Sequence, residues 1–236
     1  FVGWDAKEEK LKPTDMEGRD GTSSWSWDID ALVGNLGNSY KIMECGMKAF
    51  PTEALTHTHL SCLLNAMIGN NLNYTDIKEV QVTCFAQAYD ILFDPTKYRP
   101  ESRETADHSL PYCLAAAMVD KKITTESFSD EKLNDPRIYE VIDKIKGQPS
   151  QEFEKMFPAK QPSKVVVTTN DGRQFEEYLE YPKGDPREPM TMDDLENKFN
   201  SLVGDKLNDD QKKQLKNTIF NCEEMSANDF MTALNI

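Results

Sequence analysis

The stretch KVVVTTNDGRQFEEYLEYP, residues 164–182, limits the fold more than any other in this chain. Two runs rich in β-branched and aromatic residues flank Asn170-Asp171-Gly172, the composition of a tight hairpin turn. An antiparallel pair of strands is therefore required. Another strand is expected at 77–85, IKEVQVTCF, where Val80, Val82 and Cys84 alternate onto one side. After YPKGDPREP (181–189), which reads as a linker, strand patterning stops and only helices follow. A mixed unit of strands and helices, roughly 38–184, followed by a three-helix tail, 190–236, reads as the α+β class.

Helical spacing appears in several places. A helix is expected from about Glu53 to Gly69, after a turn at Pro51, with Leu55, Cys62, Leu63, Ala66 and Met67 on its apolar face. A loop with Pro95 and Pro100 covers 94–109, and a helix starting near Glu104 or Asp107 runs to about Val119. In NDPRIYEVIDKIKG (134–147), Asp135 is the expected cap, Ile138, Val141, Ile142 and Ile145 form the face, and Gly147 ends the helix. Thr191, Asn208 and Ser226 are expected to cap three C-terminal helices, the first ending at Gly204. NSYKIME (38–44) reads as a strand, and a short helix is expected near Ile29–Leu36 after a polar, turn-rich opening.

The chain carries 27 basic and 41 acidic residues, a net charge of −14. That argues against nucleic acid or an anionic membrane as the main partner. It still allows an acidic small molecule, because a site can be locally basic. No apolar run approaches the ~20 residues of a membrane span. Cys45, Cys62, Cys84, Cys113 and Cys222 form no C-x-x-C pair and no regular spacing. They read as reduced thiols of an intracellular protein, and they argue against an iron–sulfur cluster or structural zinc. The opening FVGWDAKEEK has no initiator Met, signal peptide or Arg-rich leader, and reads as a start in the middle of something.

The three histidines fall in two segments. MKAFPTEALTHTH holds Lys48, Glu53, His57 and His59; KYRPESRETADHS holds Lys97, Tyr98, Arg99, Arg103, Glu104, Asp107 and His108. The plain reading of the second is a charged helix start, with Glu104 and Asp107 suiting the helix dipole. His57 and His59, two apart, cannot share a helix face and lack the i,i+4 spacing of a zinc pair. Lys48 by itself is an ordinary surface lysine. G-x-G-x-x-G, Walker A, G-x-S-x-G and H-E-x-x-H patterns do not occur.

Four motifs change this reading: FPTEALTHTH, RETADHSLPYCLAAAMVD, TTNDGRQFEEYLEYPKGDPREPMT and LENKF. Together, in this order, they resemble the MmgE/PrpD family from about residue 29 onward. Its members include 2-methylcitrate dehydratases, cis-aconitate decarboxylase and iminodisuccinate epimerase. The resemblance implies a large all-helical domain and an α+β lid, with the active site between them. On that pattern 1–37 is a connecting segment from the helical domain, 38–184 the lid, and 185–236 the C-terminal helices of the helical domain. The family's N-terminal helical half, with its Asp/His active-site motif, has no counterpart in this sequence. A fragment or one subunit of a split enzyme is therefore expected.

By the same resemblance Lys48, three residues before Pro51, matches an active-site lysine, and His108 in ADHS matches a lid-helix histidine; both are expected to be catalytic. Glu53, Arg99 and Arg103, with Tyr89 or Tyr98, are expected to bind substrate. The position of Glu53 is His in the decarboxylase branch and Glu in dehydratases, which favours a hydro-lyase. The implied activity is dehydration of 2-methylcitrate or a similar hydroxy tricarboxylate, as in propionate metabolism and the methylcitrate cycle. Side chains alone would supply acid and base, with no metal and no cofactor. The alternatives are decarboxylation or epimerisation within the family, or a non-catalytic assembly or regulatory subunit. A homodimer is implied, in the cytoplasm or, for a eukaryote, the mitochondrial matrix.

Overall fold

The computed structural model describes residues 33–235. Contacts divide the chain between Cys45 and Gly46. In the first part, Val33 is helical, 34–38 form turns and a 3₁₀ turn spans Lys41–Glu44. The strand expected at 38–44 is not formed. Tyr40, Ile42 and Met43 are exposed, and none of the four described strands pairs with them. Their backbone bonds locally instead: the amides of Met43 and Cys45 donate to the carbonyls of Tyr40 and Ile42 at 3.0 and 3.1 Å. Of the helix expected at 29–36, positions 29–32 lie outside the described residues, as does the opening stretch before it.

The second part is an α+β domain built on a four-stranded sheet. The strands are β1 (Ile77–Cys84), β2 (Ile145–Pro149), β3 (Ser163–Thr169) and β4 (Gln174–Leu179), in spatial order β2-β1-β3-β4. The expected hairpin is β3–β4, with Val165 opposite Glu177 and Val167 opposite Phe175. Gly172 takes φ +88° in its turn, a conformation open to glycine at little cost. β1 runs antiparallel to β3, while β2 runs parallel to β1, with Ile145 opposite Val80. The sheet is therefore mixed rather than wholly antiparallel.

β2 corrects the reading of 134–147. Asp135 caps the helix as expected, accepting from the Arg137 amide at 3.0 Å, but the helix spans only Pro136–Ile142. Gly147 does not end it. It sits in β2, where a Cβ would stand 2.7 Å from the Phe93 ring. Ring and strand can touch only because no side chain intervenes.

Ten helices complete the description among these residues: α1 (His57–Gly69), α2 (Ala86–Leu92), α3 (Arg103–Asp107), α4 (Leu110–Asp120), α5 (Asp130–Leu133), α6 (Pro136–Ile142), α7 (Gln151–Met156), α8 (Met192–Val203), α9 (Asp209–Phe220) and α10 (Ala227–Ala233). α1 lies across β3 and β4, and α4 packs between α1 and α6. Every residue of α4 from Leu110 to Met118 is buried, as an all-round apolar helix requires. Ala115, Ala116 and Ala117 leave room for its neighbours to approach. Thr191, Asn208 and Ser226 cap the last three helices as expected.

Candidate active site

The single helix expected across 104–119 is two helices with a break at His108-Ser109. Pro111 causes it: the ring offers no amide and clashes with a continuing helix. Ser109 caps the new start, its hydroxyl accepting from the Tyr112 amide at 3.1 Å and donating to the Lys97 carbonyl. His108 is thus a junction residue, φ −102° and ψ 12°, with its imidazole half-exposed. Its Nδ1 lies in short contact with the Asp107 carboxylate and 3.1 Å from the Glu104 carbonyl oxygen. Both neighbours are acceptors, so in the neutral ring the proton belongs on Nδ1. Nε2 is left as the basic nitrogen.

Lys48 stands on a loop held from two sides. The Met47 amide donates to the Gly184 carbonyl at 2.8 Å, and Lys198 Nζ donates to the Lys48 carbonyl at 2.7 Å. Gly184 has φ +94°, and a Cβ there would fall 1.9 Å from the Met47 carbonyl oxygen. The 181–189 segment that reads as a linker is an ordered strap. Arg187 forks onto Asp185 at 2.8 and 2.9 Å, donates to the Ala159 carbonyl, and lies 4.0 Å over the Tyr181 ring. Lys48 Nζ itself donates to the Thr52 carbonyl at 2.8 Å. Buried Thr52 and Thr56 share a hydroxyl–hydroxyl bond of 2.7 Å beneath it.

The two segments meet at one backbone bond, from the Glu53 amide to the Asp107 carbonyl at 3.0 Å. Beside it is a hollow of about 320 Å³ lined by Lys48, Thr52, Glu53, Ala54, Asp107 and His108, with Pro51. Lys48, Glu53 and His108 are thereby brought together. One carboxylate oxygen of Glu53 caps the turn into α1, accepting from the Leu55 amide at 2.6 Å. The remaining residues singled out in the sequence lie elsewhere. Tyr89 and Tyr98 line another hollow, about 430 Å³, with Phe93 and Asp143. Tyr98 donates its hydroxyl to the Ile145 carbonyl at 2.9 Å. Arg99 makes a two-pronged pair with Asp143, at 3.2 and 2.8 Å. Arg103 is exposed at the start of α3 and lines neither hollow.

Two histidines are structural. Burial, with the ammonium groups of Lys48 and Lys198, pushes His57 down to about 4, against a weak bond to the Thr52 carbonyl. Burial alone pushes His59 down to about 3, and its Nδ1 meets the Ser163 hydroxyl. Both rings are neutral near pH 7. Among the described residues no three His, Cys, Asp or Glu side chains converge as a metal site, and no helix is long and apolar enough to cross a membrane.

Sequence patterning gives Asp107 no role beyond a helix-start carboxylate and Lys198 none at all. Asp107 was visible as the neighbour of His108. Lys198 comes from a distant helix, and no local pattern points to it.

The fold is an α+β domain whose polar hollow is lined by a lysine and a carboxylate-held imidazole, a combination suited to moving protons on an anion. The model of the MmgE/PrpD C-terminal domain matches residues 50–223, and the chain belongs to this family. It is 22% identical to a cis-aconitate decarboxylase of Aspergillus terreus over 204 residues, 84% of this chain and 41% of that protein. Cis-aconitate decarboxylases of Mus musculus and Homo sapiens are 27% and 28% identical, each over 57% of this chain and 28% of theirs. The chain thus spans less than half the length of these curated relatives.

Proposed function

We propose that this chain forms the lid side of a lyase active site that dehydrates a hydroxy tricarboxylate, 2-methylcitrate or a near relative. One observation carries the reading. Lys48 and His108, distant in sequence, line a single hollow, with His108 oriented by Asp107.

Elimination of water needs a base for the proton α to a carboxylate, an acid for the departing hydroxyl, and cations for the developing enolate charge. His108 Nε2 is the base of this scheme. Lys48 holds the carboxylate next to the carbon that loses its proton. Arg103, exposed outside the hollow and with no ion-pair partner among the described residues, meets only a second carboxylate that projects beyond it. Arg99 does so only by leaving Asp143. The helical half of the family, in the same chain or as a separate subunit, supplies the remaining groups, and a homodimer is the assembly that goes with it.

A second reading rests on the relatives' names: loss of carbon dioxide from cis-aconitate. The same hollow serves it, with Lys48 stabilising the carbanion and His108 returning a proton to carbon. Glu53, which stands where the resemblance places a decarboxylase histidine, favours dehydration. The assay combines this chain with the helical half and follows the unsaturated product from 2-methylcitrate beside carbon dioxide from cis-aconitate. Lys48→Ala and His108→Ala are expected to lower turnover by ~10²–10⁴-fold. Full activity in both variants ends the assignment.

A further inference from the structure

Lys48 also faces a larger concavity. A cleft of about 450 Å³ opens between the loop before α1, the turn after α4 and one side of α8. Its walls carry Lys48, Lys121, Lys122, Lys183 and Lys198 against one carboxylate, Asp194. That carboxylate is already occupied, 2.9 Å from Lys183 and bonded to the Thr191 amide at 2.8 Å. The other four lysines have no ion-pair partner among the described residues. Lys48 and Lys198 spend one ammonium hydrogen each on a backbone carbonyl, of Thr52 and of Lys48, and keep their charge unneutralised. On a chain with 41 acidic and 27 basic residues the four make a local concentration of positive charge.

The rest of the lining fits an organic anion. Thr124, Thr125, Asn197 and Ser201 offer neutral donors, and Phe50, Leu64, Ile123, Met190 and Leu202 make apolar surface. Fixed positive charge beside an apolar floor suits a ligand with both features. Because Lys48 lines this cleft and the His108 hollow alike, its one ammonium cannot serve an anion in each at once.

We infer that the cleft between α8 and the turn after α4 binds a small multivalent organic anion, with two or more phosphate or carboxylate groups on a partly apolar body. Its occupant competes for Lys48 and so inhibits the neighbouring site. The binding stands by itself; the inhibition rests on the function proposed above.

Titration calorimetry of the chain with tripolyphosphate and with citrate tests the binding, at low and at raised ionic strength. One saturable, salt-sensitive site is expected. Lys121→Gln/Lys122→Gln should weaken it at least about tenfold, and Lys122→Gln alone should weaken it about threefold. Lys212→Gln/Lys213→Gln, outside the cleft, should change it less than about twofold. Tighter tripolyphosphate would identify a phosphate-bearing effector, and tighter citrate a carboxylate. Absence of saturable binding of either anion, or equal loss in both lysine pairs, overturns the site. In the assembled enzyme the preferred anion should inhibit the unmodified chain and spare the Lys121→Gln/Lys122→Gln form. Equal inhibition of both forms overturns the coupling. Intact binding with no turnover on any substrate counts against the proposed reaction and leaves the cleft standing.

Discussion

Asp107 and His108 are chain neighbours, and their side-chain contact decides which imidazole nitrogen is basic. Asp107→Asn keeps the shape but can present an amide hydrogen to Nδ1, which favours the wrong tautomer. In the assembled enzyme, kcat should fall about 10- to 100-fold while KM stays near its original value. A change in KM alone would mean that Asp107 only shapes the pocket. His57 and His59 make a separate prediction about stability. Unfolded, both rings take up a proton near pH 6.5; folded, they resist it down to about 4 and about 3. Between those values the unfolded state binds more protons, so stability is complete above pH 6.5 and drains away as pH falls toward 4. Each ring contributes on the order of a few kcal/mol to that slope. Urea melts across this window should show a shallower acid loss in His59→Gln than in the unmodified chain. An unchanged slope would mean that the ring protonates without opening the core.

Which elements were legible follows from where their information lies. The β3–β4 hairpin carries its turn within three residues, Asn170-Asp171-Gly172, so local sequence suffices. β2 carries nothing of the kind. It is short, includes Gly147 and Pro149, and exists because Val80 and its neighbours in β1 offer a parallel ladder. The break between α3 and α4 was readable from Pro111 but is masked by the apolar run that follows. Of the candidate site, Lys48 and His108 are singled out by motif resemblance; the strap that holds Lys48 is non-local and invisible to periodicity. Gly184→Ala tests that strap. A methyl group cannot stand 1.9 Å from a carbonyl oxygen, and φ +94° is strained for alanine. A loss of about 2–4 kcal/mol in denaturant melts is expected, with weaker binding of anions that need Lys48. A variant as stable as the original would show that the strap yields freely.

On the scale of the molecule, the acidic surface and the lysine-lined cleft work together. A net charge of −14 repels anions at a distance, so only a concentrated cluster of ammonium groups can hold one. α8 supplies part of that cluster through Lys198 and holds the Lys48 loop and the strap through Lys198 and the Lys183–Asp194 pair. Away from the cleft, α8–α10 leave Met192, Ile219, Phe220 and Met231 exposed among polar residues. Such a surface is costly to leave in water and marks a contact. In the proposed enzyme its occupant is the family's helical half, since the curated relatives are more than twice the length of the segment they share with this chain. Ile219→Ser/Phe220→Ser, far from Lys48 in sequence, should then weaken association with that half by tenfold or more, read by sedimentation. Binding of tripolyphosphate in the cleft should be untouched. Association at full strength in the double variant would place the partner on another face and leave α9 without a role in assembly.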